Sequence, residues 1–327
     1  MRRLIATALL ALALLTSIAA AVEWHWRARG YRPGIVDSQD LWAQQRQRLG
    51  HTGDRKSLAL LGASRTLYSV DLTRLRAGLP GYEPVMLALD ATPAMATLRD
   101  LAADPSFDGV ALVDIDGLGL WKITWELQQP WVRHYHREWT ISHDLHRRML
   151  TRWQQHAVIA RPDFSLLRGL VRLLDSEPEP FHPYMTMTPA REGSIDYAQT
   201  DTRVHRRELE AHLARYGGKL PGPDPAQWLA DLDEVRGWVA AIQRRGGKVI
   251  FYATPISGLR RQVEEDTYPR AMFWNRVGAA TGAATLHADD VPALRDFPLP
   301  DESHIDYRDK PRYTDALVAA LVESALL

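Results

Sequence analysis

Short apolar runs alternate with amphipathic segments in two parts of the chain, 57–117 and 225–325, and this alternation constrains the fold more than any other feature. Apolar runs spaced by helical patterns of about 10–15 residues are typical of parallel strands joined by crossover helices. We therefore predict an α/β fold with one parallel sheet. The predicted strands are Leu58–Leu61, Val85–Leu89, Val110–Ile115, Lys248–Ala253 and Ala284–Leu286.

The amphipathic segments between these runs predict the connecting helices. Pro93 stands at the first turn of one segment, where its missing N–H costs nothing, and Gly246-Gly247 follows the end of another. The predicted helices are Thr66–Ala77, Pro93–Ala103, Ala226–Arg245, Tyr268–Gly282 and Lys310–Leu326.

The alternation stops between residues 118 and 215, where Trp, His and Arg are frequent. Helical patterns cover Trp131–Trp153 and Phe164–Leu174, and Tyr184–Tyr197 has the composition of a loop. We interpret this stretch as a helical insertion on the sheet.

The N-terminus is a targeting or anchoring segment. Met1-Arg2-Arg3 precedes an uncharged run, Leu4–Val22, that is long enough to cross a bilayer core of about 30 Å as a helix. The run exceeds the usual signal-peptide core, and Trp24 and Trp26 follow at the depth of a membrane interface, which favours a retained anchor. Ala19-Ala20-Ala21 also fits a signal cleavage site, so removal of the segment stays open.

These observations give a predicted organisation of the chain. The predicted parts are a transmembrane anchor or signal peptide at 1–22, a juxtamembrane linker at 23–56 and a globular domain at 57–327.

Composition excludes several classes of function. Lys plus Arg and Asp plus Glu number 40 each, so nothing in the net charge indicates nucleic-acid binding. The absence of cysteine excludes disulfides, thiolate metal sites, a cysteine nucleophile and a lipoprotein anchor. The 11 Trp residues suit a buried core best and a sugar-binding cleft second. By composition, Phe181–Tyr184 and Asp196-Tyr197 are candidates to line such a cleft.

Metal and cofactor sites receive little support. His134, His136, His143 and His146 lie at helical spacing, which could suit zinc or copper, but we favour a surface or packing role for them. The chain has no phosphate loop and no dinucleotide fingerprint. We predict neither a metal nor a cofactor.

Two short segments at opposite ends of the domain contain candidate catalytic residues. Gly62-Ala63-Ser64 follows the first predicted strand, at the edge of the sheet where α/β proteins bind ligands. Asp301 and His304 stand three residues apart before the last predicted helix. A serine hydroxyl becomes nucleophilic when an imidazole accepts its proton and a carboxylate orients that imidazole. The alternatives are a helix-capping serine and a solvated histidine.

Jointly and in this order, the two segments resemble the first and last sequence blocks of the SGNH/GDSL hydrolase superfamily. The Gly-x-Ser-Arg form resembles membrane-anchored SGNH-like proteins of polysaccharide O-acetylation. The resemblance covers about 57–117 and 225–325 and implies a flavodoxin-like three-layer sandwich. It also implies that Ser64 is the nucleophile, His304 the general base and Asp301 its orienting carboxylate.

The two middle blocks of the superfamily supply oxyanion-hole donors, and both differ here. The second block normally has a glycine, whereas this chain has Leu89-Asp90-Ala91-Thr92, so the resemblance assigns that backbone N–H to Ala91. The third block normally has an asparagine, which is absent after the fourth predicted strand. Ser257, Thr254 or Arg260 would replace it.

Arg65, next to the serine, and Arg260 are further candidates for substrate binding. From the resemblance we expect an extracytoplasmic acyl-ester enzyme, an O-acetyltransferase or acetylesterase acting on a cell-surface or secreted polysaccharide. It would be a single-pass inner-membrane protein with a periplasmic domain, and a membrane-bound O-acyltransferase would be its partner. The altered middle blocks motivate an alternative, a non-catalytic SGNH-like protein that binds polysaccharide or organises an envelope complex.

Overall fold

A five-stranded parallel sheet forms the centre of the protein in the computed structural model, which describes residues 1–175, 180, 183–215 and 221–327. In chain order, the strands are β1 (Lys56–Leu61), β2 (Tyr82–Met86), β3 (Val110–Asp114), β4 (Met185–Met187), β5 (Gly193–Ile195), β6 (Lys248–Ala253) and β7 (Ala284–His287). The main sheet has the order β2-β1-β3-β6-β7, and β4 pairs with β5 in a separate antiparallel hairpin. This sheet order is that of flavodoxin-like folds. The predicted α/β fold with a parallel sheet is confirmed.

The central strands are apolar on both faces because both faces are covered. In β1, Leu58 and Leu60 join one hydrophobic cluster, whereas Ala59 and Leu61 join the cluster on the opposite face. All four side chains are fully buried. This double burial explains the uninterrupted apolar runs, since side chains alternate between the faces of a strand.

Helices cover both faces of this sheet. In chain order, they are α1 (Arg2–Ala28), α2 (Gln39–Arg48), α3 (Ser64–Ser69), α4 (Leu72–Gly78), α5 (Met95–Ala103), α6 (Gln129–Arg137), α7 (Ile141–Gln154), α8 (Leu166–Asp175), α9 (Arg203–Arg215), α10 (Pro225–Arg244), α11 (Gly258–Thr267), α12 (Trp274–Thr281), α13 (Pro292–Arg295) and α14 (Lys310–Glu323). Helices α2, α5, α10 and α12 pack on one face, and α3, α4, α13 and α14 pack on the other. The three-layer arrangement expected from the resemblance is present.

Two predicted helices are each interrupted. The segment expected as one helix over Thr66–Ala77 forms α3 and α4, because Val70 is extended and the Asp71 side chain caps the N–H groups that begin α4. The segment expected over Tyr268–Gly282 is helical only from Trp274. Tyr268 precedes a proline and takes a non-helical conformation, as proline imposes on its predecessor.

The N-terminal helix α1 continues past the expected boundary at residue 22. Its apolar part has a mean hydropathy of 2.4 and no buried residue, so it is long and apolar enough to cross a membrane; a signal sequence has the same properties. Beyond that part, Trp26 packs in a small cluster with Tyr31, Val158 and Phe164. The carboxylate of Glu23 accepts hydrogen bonds from two backbone N–H groups of the 158–160 turn.

Residues 23–56 are not a linker in the structure. They contain α2, whose Trp42 is fully buried in the core and donates its indole N–H to the carbonyl of Leu87 at 2.9 Å. Arg46 of the same helix is buried and bonded to the carboxylates of Asp100 and Asp104 at 2.7 and 2.8 Å. The segment predicted as a juxtamembrane linker thus contributes both a core side chain and buried ion pairs to the domain.

The stretch 118–215 is mostly helical, as expected, but Tyr184–Tyr197 contains the β4–β5 hairpin rather than a loop alone. The hairpin packs on α3, and the buried ammonium of Lys310 bonds the carboxylate of Glu192 and the carbonyl of Gly193. The insertion is therefore fastened to the helices beside the Ser64 turn.

Trp42→Ala should lower the free energy of unfolding of the detergent-solubilised chain by about 3–5 kcal/mol, because it leaves a cavity in the core. Tyr307→Ala, at an aromatic residue that is 44% exposed, is the matched control and should change it far less. Urea unfolding measures both. Equal effects of the two substitutions would contradict the placement of α2 in the core.

Candidate active site

A sharp turn after β1 presents Ser64 at the carboxyl edge of the sheet. Gly62 has φ +151°, and a Cβ there would lie 2.7 Å from Thr66 Oγ1 and 2.8 Å from the Cβ of Asp114. Glycine is required for both reasons, its backbone conformation and the close approach of its neighbours. The turn places Ser64 at the first residue of α3.

Ser64, His304 and Asp301 form a continuous chain of hydrogen bonds. The Oγ of Ser64 lies 2.8 Å from Nε2 of His304, and Nδ1 of His304 lies 2.7 Å from Oδ2 of Asp301. The structure thus brings Ser64 together with His304, which is 240 positions away in the sequence, and with Asp301, three residues before His304. In this geometry the imidazole can accept the hydroxyl proton on one nitrogen while the carboxylate holds the other N–H.

Asp301 is held in its charged form. Burial raises the pKa of Asp301, but the hydrogen bond and charge of His304, the nearby Tyr197 hydroxyl and a backbone N–H together hold it well below the usual range. Its Oδ1 accepts the N–H groups of Ser303 and His304 at 3.0 and 2.7 Å. A permanent carboxylate is what an imidazole needs if it is to carry a transient positive charge.

Glu302 fastens the loop that carries Asp301 and His304. Its backbone is left-handed, with φ +69°, and its carbonyl accepts the N–H of Ser257 at 3.0 Å. Its carboxylate accepts the N–H of Arg260 at 3.2 Å and pairs with Arg206 at 2.9 Å. Gly258 leaves room for this carboxylate, since a Cβ there would lie 2.3 Å from Cδ of Glu302. The start of α11 therefore fixes the position of the imidazole.

Ser64 faces a cavity of about 180 Å³ whose wall is rich in tyrosine. Tyr68 stands one helical turn after Ser64, with its ring 6.4 Å from the His304 ring, and the hairpin region of the insertion contributes further side chains. The lining residues are Ser64, Tyr68, Asp90, Tyr184, Met185, Ile195, Tyr197, Arg260, Asp301 and His304.

Two of these tyrosines are among the candidates that composition suggests for a sugar cleft. Tyr184 and Tyr197 line the cavity, whereas Phe181 and His182 lie outside the described residues. The Tyr197 hydroxyl is buried without a hydrogen bond of normal geometry, and burial together with the adjacent Asp301 carboxylate raises its pKa. It stays protonated and is available to donate.

Ala91 occupies a turn beside Gly62. Its φ is +56°, a left-handed conformation that costs a non-glycine residue about 1 kcal/mol. The turn closes with a bond from the Thr92 N–H to the Leu89 carbonyl, and the Leu89 N–H donates to the Gly62 carbonyl at 3.1 Å. Asp90, rather than Ala91, contributes to the described wall of the cavity. The backbone has the shape that the expected glycine would adopt.

The three candidates for the missing asparagine lie in different places. Thr254 donates its hydroxyl to Asp114 at 3.2 Å, in a buried position away from Ser64. Ser257 precedes α11 and does not contribute to the described cavity wall. Arg260 does line the cavity; Asp301, Asp116 and Glu264 are close enough for their charges to act on it, but among the described residues no carboxylate pairs with its guanidinium at ion-pair distance. Of the three, Arg260 alone is placed to meet a ligand of Ser64.

Arg65 turns away from the Ser64 cavity. Its guanidinium pairs with Asp116, and it lies close to the charges of Asp114 and Glu264 at the carboxyl end of β3. Burial would lower the pKa of Arg65, but these carboxylates hold it above its ordinary value. Arg65 therefore belongs to a charge cluster beside the Ser64 turn and does not contribute to the described wall of the Ser64 cavity, so a role in substrate binding stays a prediction.

Glu264 of this cluster is half-buried and shares its surroundings with Asp116. Burial and the Asp116 charge raise the pKa of Glu264 to about 7, although the N–H of Gly117 and the charge of Arg65 oppose the shift. The N–H of Gly117 donates to its carboxyl group at 3.0 Å. One carboxyl of the cluster therefore carries a proton near neutrality.

The histidines considered as metal ligands bond to separate partners. His134 lies 2.7 Å from Asp40 and 3.0 Å from Glu138, whereas His136 lies 2.5 Å from Asp100. Among residues 1–175, 180, 183–215 and 221–327, no cluster of three or more His, Asp or Glu side chains is placed to hold a metal ion.

Sequence reasoning missed Tyr68 and Asp90 as parts of the site. Tyr68 follows Ser64 by four residues, so helical periodicity after the serine was a usable signal. Asp90 carried no such signal, since its position depends on how the turn after β2 meets the turn after β1.

Gly62→Ala should lower the free energy of unfolding by about 1–3 kcal/mol, because the new methyl group meets Thr66 and Asp114. Gly81→Ala is the control, since no heavy atom lies within 4 Å of a Cβ at that position. Urea unfolding of both variants gives the comparison, and the expectation fails if they are equally stable.

Glu264→Gln should stabilise the protein at pH 8 and leave its stability unchanged at pH 4. A carboxyl whose pKa is raised on folding costs stability above its unfolded value of about 4.3, and the cost grows until the folded value is passed. The gain at pH 8 should be about 2 kcal/mol, less than the full shift because water partly screens a half-buried group. Glu265→Gln, at an exposed neighbour, should change unfolding little at either pH. A gain that does not depend on pH would contradict the assignment.

Comparisons with known proteins leave the chain without an assigned family. No protein-family model matches it, and no curated protein matches it. Among solved structures, it is similar to the one titled "Crystal Structure of TesA", at 13% sequence identity and a TM-score of 0.31, over 83% of this chain and all of that one. A likeness at this TM-score and identity supports no conclusion about the fold or the function of the chain. The sheet order establishes the fold, and the interatomic distances define the candidate site.

Proposed function

We propose that this chain is a membrane-anchored acyl-ester enzyme that works through Ser64, His304 and Asp301. The observation that carries the proposal is the hydrogen-bonded chain from the Ser64 hydroxyl through His304 to the Asp301 carboxylate. It lies at the carboxyl ends of the strands, next to a cavity that can hold a small acyl group.

The reaction would proceed in two steps. The Oγ of Ser64 attacks the acyl carbonyl and passes its proton to Nε2 of His304, while Asp301 stabilises the imidazolium. The backbone N–H groups of Ser64 and Ala91 would hold the oxyanion. The N–H of Ser64 is suited to this because the N–H groups of a first helical turn have no acceptor within the helix. His304 then gives the proton to the oxygen of the leaving group. The bond between this oxygen and the acyl carbon breaks, and an acyl-serine remains.

The acceptor completes the cycle. A sugar hydroxyl or water gives its proton to Nε2 of His304 as its oxygen attacks the carbonyl of the acyl-serine. The bond between the acyl carbon and Oγ of Ser64 then breaks, and His304 returns the proton to Oγ, which restores the Ser64 hydroxyl and leaves the acyl group on the acceptor. With a sugar the enzyme is an O-acetyltransferase, and with water it is an acetylesterase. Exclusion of water from the cavity would decide between them.

The proposed substrate is a cell-surface or secreted polysaccharide, which would accept the acetyl group from a transferase or lose one to an esterase. The tyrosine-rich wall formed by Tyr68, Tyr184 and Tyr197 supports a sugar ligand, because aromatic side chains combine apolar surface with a polar group. Arg260 supports an anionic group on the polymer. The resemblance of the Gly-x-Ser-Arg block to O-acetylation proteins supports an acetyl group, a membrane-bound O-acyltransferase as its source, and a periplasmic domain on a single inner-membrane helix.

One observation favours a second candidate, a non-catalytic polysaccharide-binding or complex-organising protein. Asp90 lines the cavity where an oxyanion would form, and a nearby carboxylate opposes a developing negative charge. Such a protein would keep the tyrosine-lined cavity for binding but would not acylate Ser64.

A serine-directed fluorophosphonate probe distinguishes the two candidates. The detergent-solubilised chain should gain one adduct by intact mass, and Ser64→Ala and His304→Ala should abolish it because each removes part of the proton-transfer chain. Ser257→Ala is the matched control and should label as the wild type does, since Ser257 lies outside the described cavity wall. Absence of an adduct on the folded wild type, or an adduct that persists in Ser64→Ala, would favour the binding protein.

A further inference from the structure

Helix α7 has an inverted distribution of polarity. Its outward side chains are Ile141, Leu145, Met149 and Trp153, at four-residue spacing and between 54% and 89% exposed. A helix on a protein in water normally turns such a stripe toward the core.

The side of α7 that faces the protein is polar. Arg147 and Gln154 are each 2% exposed, and Thr151 is 8% exposed. The Arg147 guanidinium bonds Thr151 at 3.0 Å, Gln154 at 2.9 Å and Ser38 at 3.3 Å. Because these polar groups satisfy one another inside the domain, the inward face is fixed and the apolar side remains outward.

The start of α8 extends this surface toward the N-terminal helix. Leu166 and Leu167 are 41% and 73% exposed. They line one groove together with Trp153 of α7 and the residues 15–19 part of α1. We define the apolar outer face as Ile141, Leu145, Met149, Trp153, Leu166 and Leu167.

The groove joins one end of this face to α1. The part of α1 that it contacts belongs to the uncharged run that is long enough to cross a bilayer. If that run crosses the bilayer, side chains beside it lie at the same depth in the bilayer. Farther along, α1 is held to the insertion by Glu23, by Trp26 and by the bond from Arg27 to the carbonyl of His156 at 2.6 Å. The apolar outer face and α1 therefore form one unit.

Charge around the face supports a lipid surface. Arg148 and Arg152 stand beside the stripe on α7, and Arg168 follows the leucines of α8. Long basic side chains around an apolar helical surface are typical of helices that lie at the boundary between headgroups and acyl chains, and Trp is enriched at the same depth.

We propose that the apolar outer face lies in the interface of the bilayer that α1 crosses, as a second membrane contact made by the insertion. The same insertion contributes Tyr184 and Tyr197 to the wall of the Ser64 cavity. Contact through α1 alone would leave the tilt of this unit relative to the bilayer to one helix. Two contacts fix the orientation of the cavity toward the membrane surface.

Because the chain has no cysteine, single-cysteine variants of the full chain carry one environment-sensitive fluorophore each. Met149→Cys and Leu167→Cys report on the apolar outer face. Val322→Cys is the matched control, because Val322 is also apolar and is 50% exposed, but it lies on α14 across the sheet. The labelled proteins are placed in vesicles of phosphatidylcholine and phosphatidylglycerol, with or without lipid that carries a nitroxide in the upper acyl chain.

The nitroxide lipid should remove most of the emission from the labels at 149 and 167 and leave the label at 322 unchanged. Equal and weak quenching at all three positions would overturn the proposal, since the face would then be in water. A second result would also overturn it: emission of the labels at 149 and 167 that reports an apolar environment and rises with the protein-to-lipid ratio, without quenching by the nitroxide lipid. This result would assign the face to a second copy of the chain.

Discussion

The hydrogen bond between the Ser64 hydroxyl and the His304 imidazole is the contact on which the rest of the site depends. It joins the first strand of the sheet to the loop before the last helix. A parallel sheet makes this possible, because all its strands end at one edge and the loops that follow them converge there. The fold thus brings a nucleophile and a base together although almost the whole domain separates them in sequence.

Two carboxyl groups at this edge have opposite electrostatic roles. Asp301 receives two backbone N–H groups and the imidazole, so its pKa is held low and its charge persists. Glu264 shares a partly buried region with Asp116, so its pKa is raised to about 7. Negative charge is therefore stabilised where it can support a cationic imidazole and reduced within the cluster around Arg65. The difference arises from the neighbouring groups: Asp301 faces hydrogen-bond donors and the His304 imidazole, whereas Glu264 faces the like charge of Asp116.

The insertion connects the N-terminal helix α1 with the site. Its hairpin supplies side chains to the cavity, and its helices hold the end of α1. Helix α7 shows how the two sides differ, because it buries the Arg147 guanidinium and exposes Met149. An apolar medium would favour that arrangement, and this is the observation behind the proposed contact with the bilayer.

The sequence by itself determined the strands of the sheet and the order of Ser64, Asp301 and His304. Strands buried on both faces are uniformly apolar, and this signal is local enough to be read without the fold. The tertiary structure alone decided that residues 23–56 belong to the domain, that Arg65 turns toward Asp116, and that Arg260 lines the cavity whereas Ser257 does not. It also decided which face of α7 is buried. Periodicity shows that a helix has an apolar and a polar side, but contacts between distant segments determine which side meets the protein and which meets the medium outside.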